Sequence, residues 1–135
     1  MAELTVGDVV AETTVAFSRD SLVRYAGASG DFNTINYRDD VAQSVGLDGV
    51  LAHGMLTMGA AVQPVVDWLG DRGWVSDYQV RFTRPVPVPA EGEAQLTLTA
   101  KAGVVDEEGA RIDLTVKLDD ATVLGKAQVR VSWRA

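Results

Sequence analysis

Two short stretches between Tyr25 and Gly59 hold the residue types that can do chemistry: Asp31-Phe32-Asn33-Thr34-Ile35-Asn36 and Ala52-His53-Gly54-Met55. The chain has no cysteine and a single histidine, His53. Thiolate catalysis and cysteine metal sites are therefore excluded, and one imidazole is too few for an ordinary zinc or non-haem iron centre. Acid–base work then falls to carboxylates, and positioning to amides and backbone N–H groups. Taken alone, Asp31 is a turn aspartate, since Gly-Asp ahead of Asn is ordinary loop chemistry. Asn36 can orient a water or polarise a carbonyl, but its amide exchanges no proton at ordinary pH. His53, beside a helix-start glycine, reads as a satisfied structural histidine. Gly54 heads a long apolar run, where the free N–H of a helix N-terminus, at the positive end of the dipole, can hold an oxyanion.

Positioning such groups requires a folded core, and the composition supplies one. At 135 residues and 47% hydrophobic, the chain has the size and apolar content of one globular domain, residues 1–135. No apolar run reaches the roughly 18 residues of a membrane span, and the start MAELTVGDVV lacks the basic-then-apolar layout of a signal peptide. A soluble, cytoplasmic protein is expected. A net charge of −7, without a Lys/Arg cluster, argues against nucleic acid or anionic membrane as partner.

The first half reads as helices separated by polar loops. After an extended lead-in through Phe17, Ser18 is placed to cap a helix running to Ala28, with Leu22, Val23 and Ala26 on one face and Ser29-Gly30 as its stop. A loop follows from Asp31 to Asn36, then Asp39 as the cap of a short helix, Val41 to Val45, ended by Gly46. Gly54 to Leu69 is apolar almost all round, as expected of a helix buried on most faces, and Pro64 should kink or break it. Met55 and Met58, at helical spacing, read as core.

The second half alternates with period two. Leu96, Leu98 and Ala100 form one such set, Ile112, Leu114, Val116 and Leu118 a second, and Ala127, Val129, Val131 and Trp133 a third. Asp106 to Gly109 and Asp119-Asp120 are the turns, and the short connections make the sheet antiparallel. The prolines from Pro85 to Pro89 end a strand or lie at an edge. The fold class is therefore α+β, a curved antiparallel sheet wrapped on a long buried central helix.

Ala52-His53-Gly54-Met55-Leu56-Thr57-Met58-Gly59 matches the second signature block of the MaoC-type (R)-specific enoyl hydratases and 3-hydroxyacyl dehydratases, which share the hot-dog fold. The order of loops, helix and strands resembles most the catalytic subunit of the mycobacterial-type heterodimeric 3-hydroxyacyl-ACP dehydratases. The family's first block is Asp-x-Asn-Pro-x-His. Here Asp31 and Asn33 are kept, Thr34 replaces the proline, and Asn36 stands where the family has its catalytic histidine. Asn36 alone would also fit an inactivated variant, but Thr34 is a second, independent departure that such a variant does not need, which favours natural divergence.

The resemblance implies a hydro-lyase that adds or removes water across the α,β-double bond of an acyl-CoA or acyl-ACP thioester, in fatty-acid or polyketide metabolism, without a cofactor or a metal. In that reading Asp31 lies desolvated at the mouth of an acyl tunnel as base and acid, Asn36 positions water, and Gly54 polarises the carbonyl. Asn33, Tyr37, His53 and Met55 border the substrate, and Arg81 and Arg84 either meet the phosphopantetheine arm or are solvated strand residues. The implied partner is a second hot-dog subunit, in a homodimer or a heterodimer. Two alternatives stay open: a double-bond isomerase working with Asp31 alone, and a non-catalytic acyl-binding or partner subunit.

Overall fold

Residues 3–135 are described in a computed structural model. The order is β1 (Val9–Phe17), α1 (Arg19–Ser29), a 3₁₀ turn (Thr34–Asn36), α2 (Asp39–Ser44), α3 (Gly54–Leu69), a 3₁₀ turn (Gly70–Arg72), β2 (Gly73–Phe82), β3 (Ala94–Val105), β4 (Gly109–Leu118) and β5 (Ala121–Trp133). The five strands make one antiparallel sheet in the order β1-β3-β4-β5-β2, with α3 against its inner face. This is the α+β arrangement that the alternation and the central apolar run predict.

Period-two patterning sets which side chains go inward. Leu96, Leu98 and Ala100 of β3, Ile112, Leu114 and Val116 of β4, and Ala127, Val129 and Val131 of β5 are all buried, and their neighbours face out. Ile112 sits opposite Ala102 on one side and Val129 on the other, so each buried residue has a cross-strand partner. The β4–β5 connection turns at Asp119, which takes a left-handed φ of 54°. Gly109 is required by close approach, because a Cβ there would meet the Val131 carbonyl oxygen at 1.9 Å.

Helices α1 and α3 depart from expectation in three places. In α1, Ser18 caps as predicted and shares a reciprocal capping box with Ser21, and Gly30 ends the helix at φ 76°. Leu22 and Ala26 are buried one turn apart, but Val23 is exposed, since one residue on from Leu22 is about 100° round the helix. In α3, burial is confined to the stripe Thr57, Ala61, Val65 and Leu69. The helix is thus not covered on most faces by its own chain, and Met55 is 58% exposed. Pro64 interrupts nothing: α3 runs unbroken to Leu69, its turns on either side of Pro64 anchored by buried Ala61 and Val65. Among the described residues no helix is long and apolar enough to cross a membrane.

The chain between α2 and α3 is tied to the segment after β2. Ala52 N–H donates to the Val86 carbonyl at 2.8 Å, and Val88 N–H to the Val50 carbonyl at 3.1 Å. Val50, Val86 and Val88 are buried, so the proline-rich stretch is a packed edge that reaches the core. Asp39 does not cap α2, whose N-cap is Arg38. Its carboxylate takes both guanidinium nitrogens of Arg19, at 2.9 and 3.1 Å, and the Val50 N–H at 3.1 Å. Arg19 also donates to the Val88 carbonyl at 2.9 Å, which makes this pair a strut across α1, α2 and both edge segments.

Candidate active site

Side chains that answer backbone groups set the loop from Ser29 to Asn36. Ser29 Oγ accepts from Asp31 N–H at 3.1 Å, Asp31 Oδ1 from Asn33 N–H at 3.2 Å, and Asn33 Oδ1 from Ile35 N–H at 3.2 Å. Three consecutive local bonds of this kind displace regular structure and leave only the 3₁₀ turn at Thr34–Asn36. Asn36, 6% exposed, donates through Nδ2 to the Leu51 carbonyl at 2.7 Å, and Leu51 N–H donates to the Ile35 carbonyl at 3.1 Å. A carbonyl only accepts, so Nδ2 faces Leu51 with one of its two N–H groups, and Oδ1 is the end left without a donor among the described residues. Of the two uses open to Asn36, accepting an O–H from water or a hydroxyl is the one this orientation serves.

His53 is 3% exposed and stands immediately before α3. Its Nε2 lies 3.1 Å from the Asp31 carbonyl oxygen, so Nε2 carries the hydrogen. Its ring meets Tyr25 edge to face, with centroids 4.7 Å apart. Nδ1 is buried without a hydrogen-bond donor from the described residues, so the expectation of a fully satisfied histidine holds for only one of the two nitrogens. The side chain leaves the first turn of α3 uncapped, and the N–H groups from Gly54 onward keep the positive end of a 16-residue helix available. The Phe82 ring lies over Gly54: a Cβ there would be 3.1 Å from its edge.

These groups meet on one open cavity of about 400 Å³, whose lining includes Asp31, Asn33, Asn36, His53 and Gly54. Asp31 is exposed in the single chain, so the expected desolvation is not supplied by this chain's own residues. Tyr37 and Met55 lie outside the lining, with the Met55 side chain turned out from α3. Arg84 lines the cavity and Arg81 does not. Sequence reasoning missed Thr57, buried one turn into α3 with Oγ1 3.5 Å from the His53 carbonyl, and missed Phe82, Val123 and Leu124 as walls. Thr57 had a signal, four residues after His53 on the same helix face. The walls from β2 and β5 had none, because their place depends on the β2–β5 register, where Phe82 pairs with Leu124.

Tyr78 ties the sheet to α3 beneath the site. Its hydroxyl donates to the Met58 carbonyl at 2.7 Å, and burial pushes its phenol up to about 12, so it is a fixed neutral donor.

Residues 3–119 match the MaoC like domain family. The mitochondrial 3-hydroxyacyl-[acyl-carrier-protein] dehydratase of Arabidopsis thaliana is 42% identical over 53 residues, which is 39% of this chain and 31% of that protein. A solved MaoC-like dehydratase is 31% identical with a TM-score of 0.90, covering 98% of this chain and 42% of its own. The ChsH1-ChsH2 complex from Mycobacterium tuberculosis shares the fold at 19% identity, with a TM-score of 0.85 over 96% of this chain and 98% of the matched one. The chain therefore spans less than half the length of the first two proteins it matches. With the domain match running from the first strand to the β4–β5 turn, and a solved relative superposing on nearly every residue, the chain belongs to the MaoC-like domain family of the hot-dog fold.

Proposed function

We propose that the chain is the hydro-lyase subunit of an acyl-thioester hydratase or dehydratase. The observation that carries this is the convergence of Asp31, Asn36 and the uncapped start of α3 on one cavity. In the hydration direction, Asn36 Oδ1 holds a water and the Asp31 carboxylate takes a proton from it as its oxygen bonds to Cβ. The electron pair of the double bond moves onto the thioester oxygen, where the N–H groups of Gly54 and the following turn receive it. Asp31 then returns its proton to Cα, so the sum is one water added; dehydration is the reverse. One carboxylate doing both transfers replaces the family's carboxylate and imidazole, and the missing group lowers the rate by roughly 10² to 10⁴.

The exposed Asp31 and the apolar outer face of α3 support a second hot-dog subunit over the site, either another copy or a different chain. Between β1 and α3, Val15, Leu56, Ala60 and Pro64 line a groove of about 520 Å³ that a single chain leaves open. A two-protein complex among the fold relatives is consistent with this arrangement. The substrate is an acyl-CoA or acyl-ACP thioester, by analogy with the Arabidopsis relative's carrier-bound 3-hydroxyacyl group. A cytoplasmic place of action and a single domain complete the proposal.

Purified chain, alone and with partner subunits, should convert enoyl thioesters to 3-hydroxyacyl thioesters and back. Folded protein that leaves both unchanged under all these conditions would overturn the reading. A second reading, double-bond isomerisation, is favoured by Asp31 sharing one cavity with the uncapped start of α3, since a dienolate route needs one carboxylate and no bound water. Deuterium entering Cα or Cγ without net water would select it.

A further inference from the structure

We infer that His53 is a positioning residue that fixes the distance between the Asp31 loop and the N-terminus of α3; this rests on the hydro-lyase reading of the same cavity. The loop from Asp31 to Asn36 is fastened to the segment before α3 at two ends. At one, Asn36 and Ile35 exchange hydrogen bonds with Leu51. At the other, His53 Nε2–H donates to the Asp31 carbonyl oxygen. Among the described residues every other hydrogen bond of Asp31 is local, to Ser29 and Asn33, so there the His53 bond alone ties it to α3.

His53 is also the N-cap of α3, and its own carbonyl accepts from Thr57 N–H at 3.2 Å. One residue therefore holds the backbone of the base through its side chain and starts the oxyanion-binding turn through its main chain. The ring is held in place by burial and by the edge-to-face contact with Tyr25. The tautomer follows: a hydrogen on Nδ1 would lack an acceptor, and a bare Nε2 would oppose the Asp31 carbonyl lone pairs. A shift of about 1 Å between two reacting groups costs on the order of 10² in rate.

The test uses the full chain, with its partner subunit if activity needs one. His53→Phe keeps an aromatic ring against Tyr25 and removes the donor; His53→Gln keeps an N–H donor. His53→Phe is expected to lower kcat by roughly 10- to 100-fold with KM within about threefold, and His53→Gln to restore part of that loss. Amide hydrogen exchange should quicken at residues 29–34 in His53→Phe and stay unchanged in β3 and β4. Folded His53→Phe with parental kcat, or with unchanged exchange at 29–34, overturns the proposal. The exchange result stands whether or not the thioester reading survives, so the two can fail separately. Because the chain has one histidine, nitrogen-15 NMR of the unsubstituted protein gives an independent check: hydrogen on Nε2 and a bare Nδ1 support it, and the opposite tautomer overturns it.

Discussion

Strands β3, β4 and β5 are joined along their length by backbone ladders over a face of Leu98, Ile112 and Val129, while the loop from Ser29 to Asn36 is held by its own side chains and two fasteners. In the sheet a residue matters by the volume it buries. In the loop it matters by a single atom at a fixed place. Stability and chemistry are therefore separable here, and substitutions in the two regions should act on different measurements.

The largest effect expected is Asp31→Asn, which should lower turnover by about 10² to 10⁴ while leaving the unfolding midpoint nearly unchanged, because the residue is exposed. Leu98→Ala should do the opposite: a loss of about 2–5 kcal/mol in denaturant unfolding, with turnover per folded molecule retained. An Asp31→Asn protein that unfolds early, or a Leu98→Ala protein that folds but does not turn over, would break the separation.

Gly54→Ala adds one methyl group at the junction of helix and site, where packing and chemistry meet. The new Cβ would press on the ring of Phe82, a residue 55% exposed, so the ring has solvent to move into. The N–H is retained, so the rate should fall by no more than about tenfold, short of the 10² to 10³ typical of a lost oxyanion donor. A larger fall would mean that the Phe82 ring has no room to move.

The smallest effect concerns the strut. Arg19 first, then the Val50 N–H, hold the Asp39 carboxyl below its usual value of 3.8. A depressed carboxylate contributes stability above the unfolded value, and that contribution is lost as pH falls through the lower folded value. Asp39→Asn should therefore lower the unfolding midpoint slightly at neutral pH, where the pair contributes, and converge with the parent as pH falls below about 4, giving a shallower acid limb. An unchanged acid limb would show that the strut contributes nothing to folding.

The same comparison explains what could be read from the residues. The faces of β3, β4 and β5 follow from alternation, and Ser18, Gly30, Gly54 and Leu69 mark the ends of α1 and α3 by local rules, whereas α2 begins at Asp39, two residues ahead of the expected Val41. Val23 and the outer face of α3 were misplaced because apolar type does not say which residues another layer reaches. Asp39 was misplaced because its partner, Arg19, is 20 residues away. At the site, Asp31, Asn36 and Gly54 stand out through the resemblance of the two motif blocks. Phe82 and Leu124 become walls only through strand pairing, and the bond from His53 to the Asp31 carbonyl involves a main-chain atom that no side-chain pattern can reveal.

The most direct test of the central claim is mass spectrometry of enoyl and 3-hydroxyacyl thioesters incubated in deuterated water with the parent chain and with Asp31→Asn. Gain or loss of one water in the parent, slowed by about 10² to 10⁴ in Asp31→Asn, is the result predicted for a hydro-lyase that works without the family's histidine. Equal conversion by both proteins, or none by either while both are folded and supplied with a partner subunit, would contradict it.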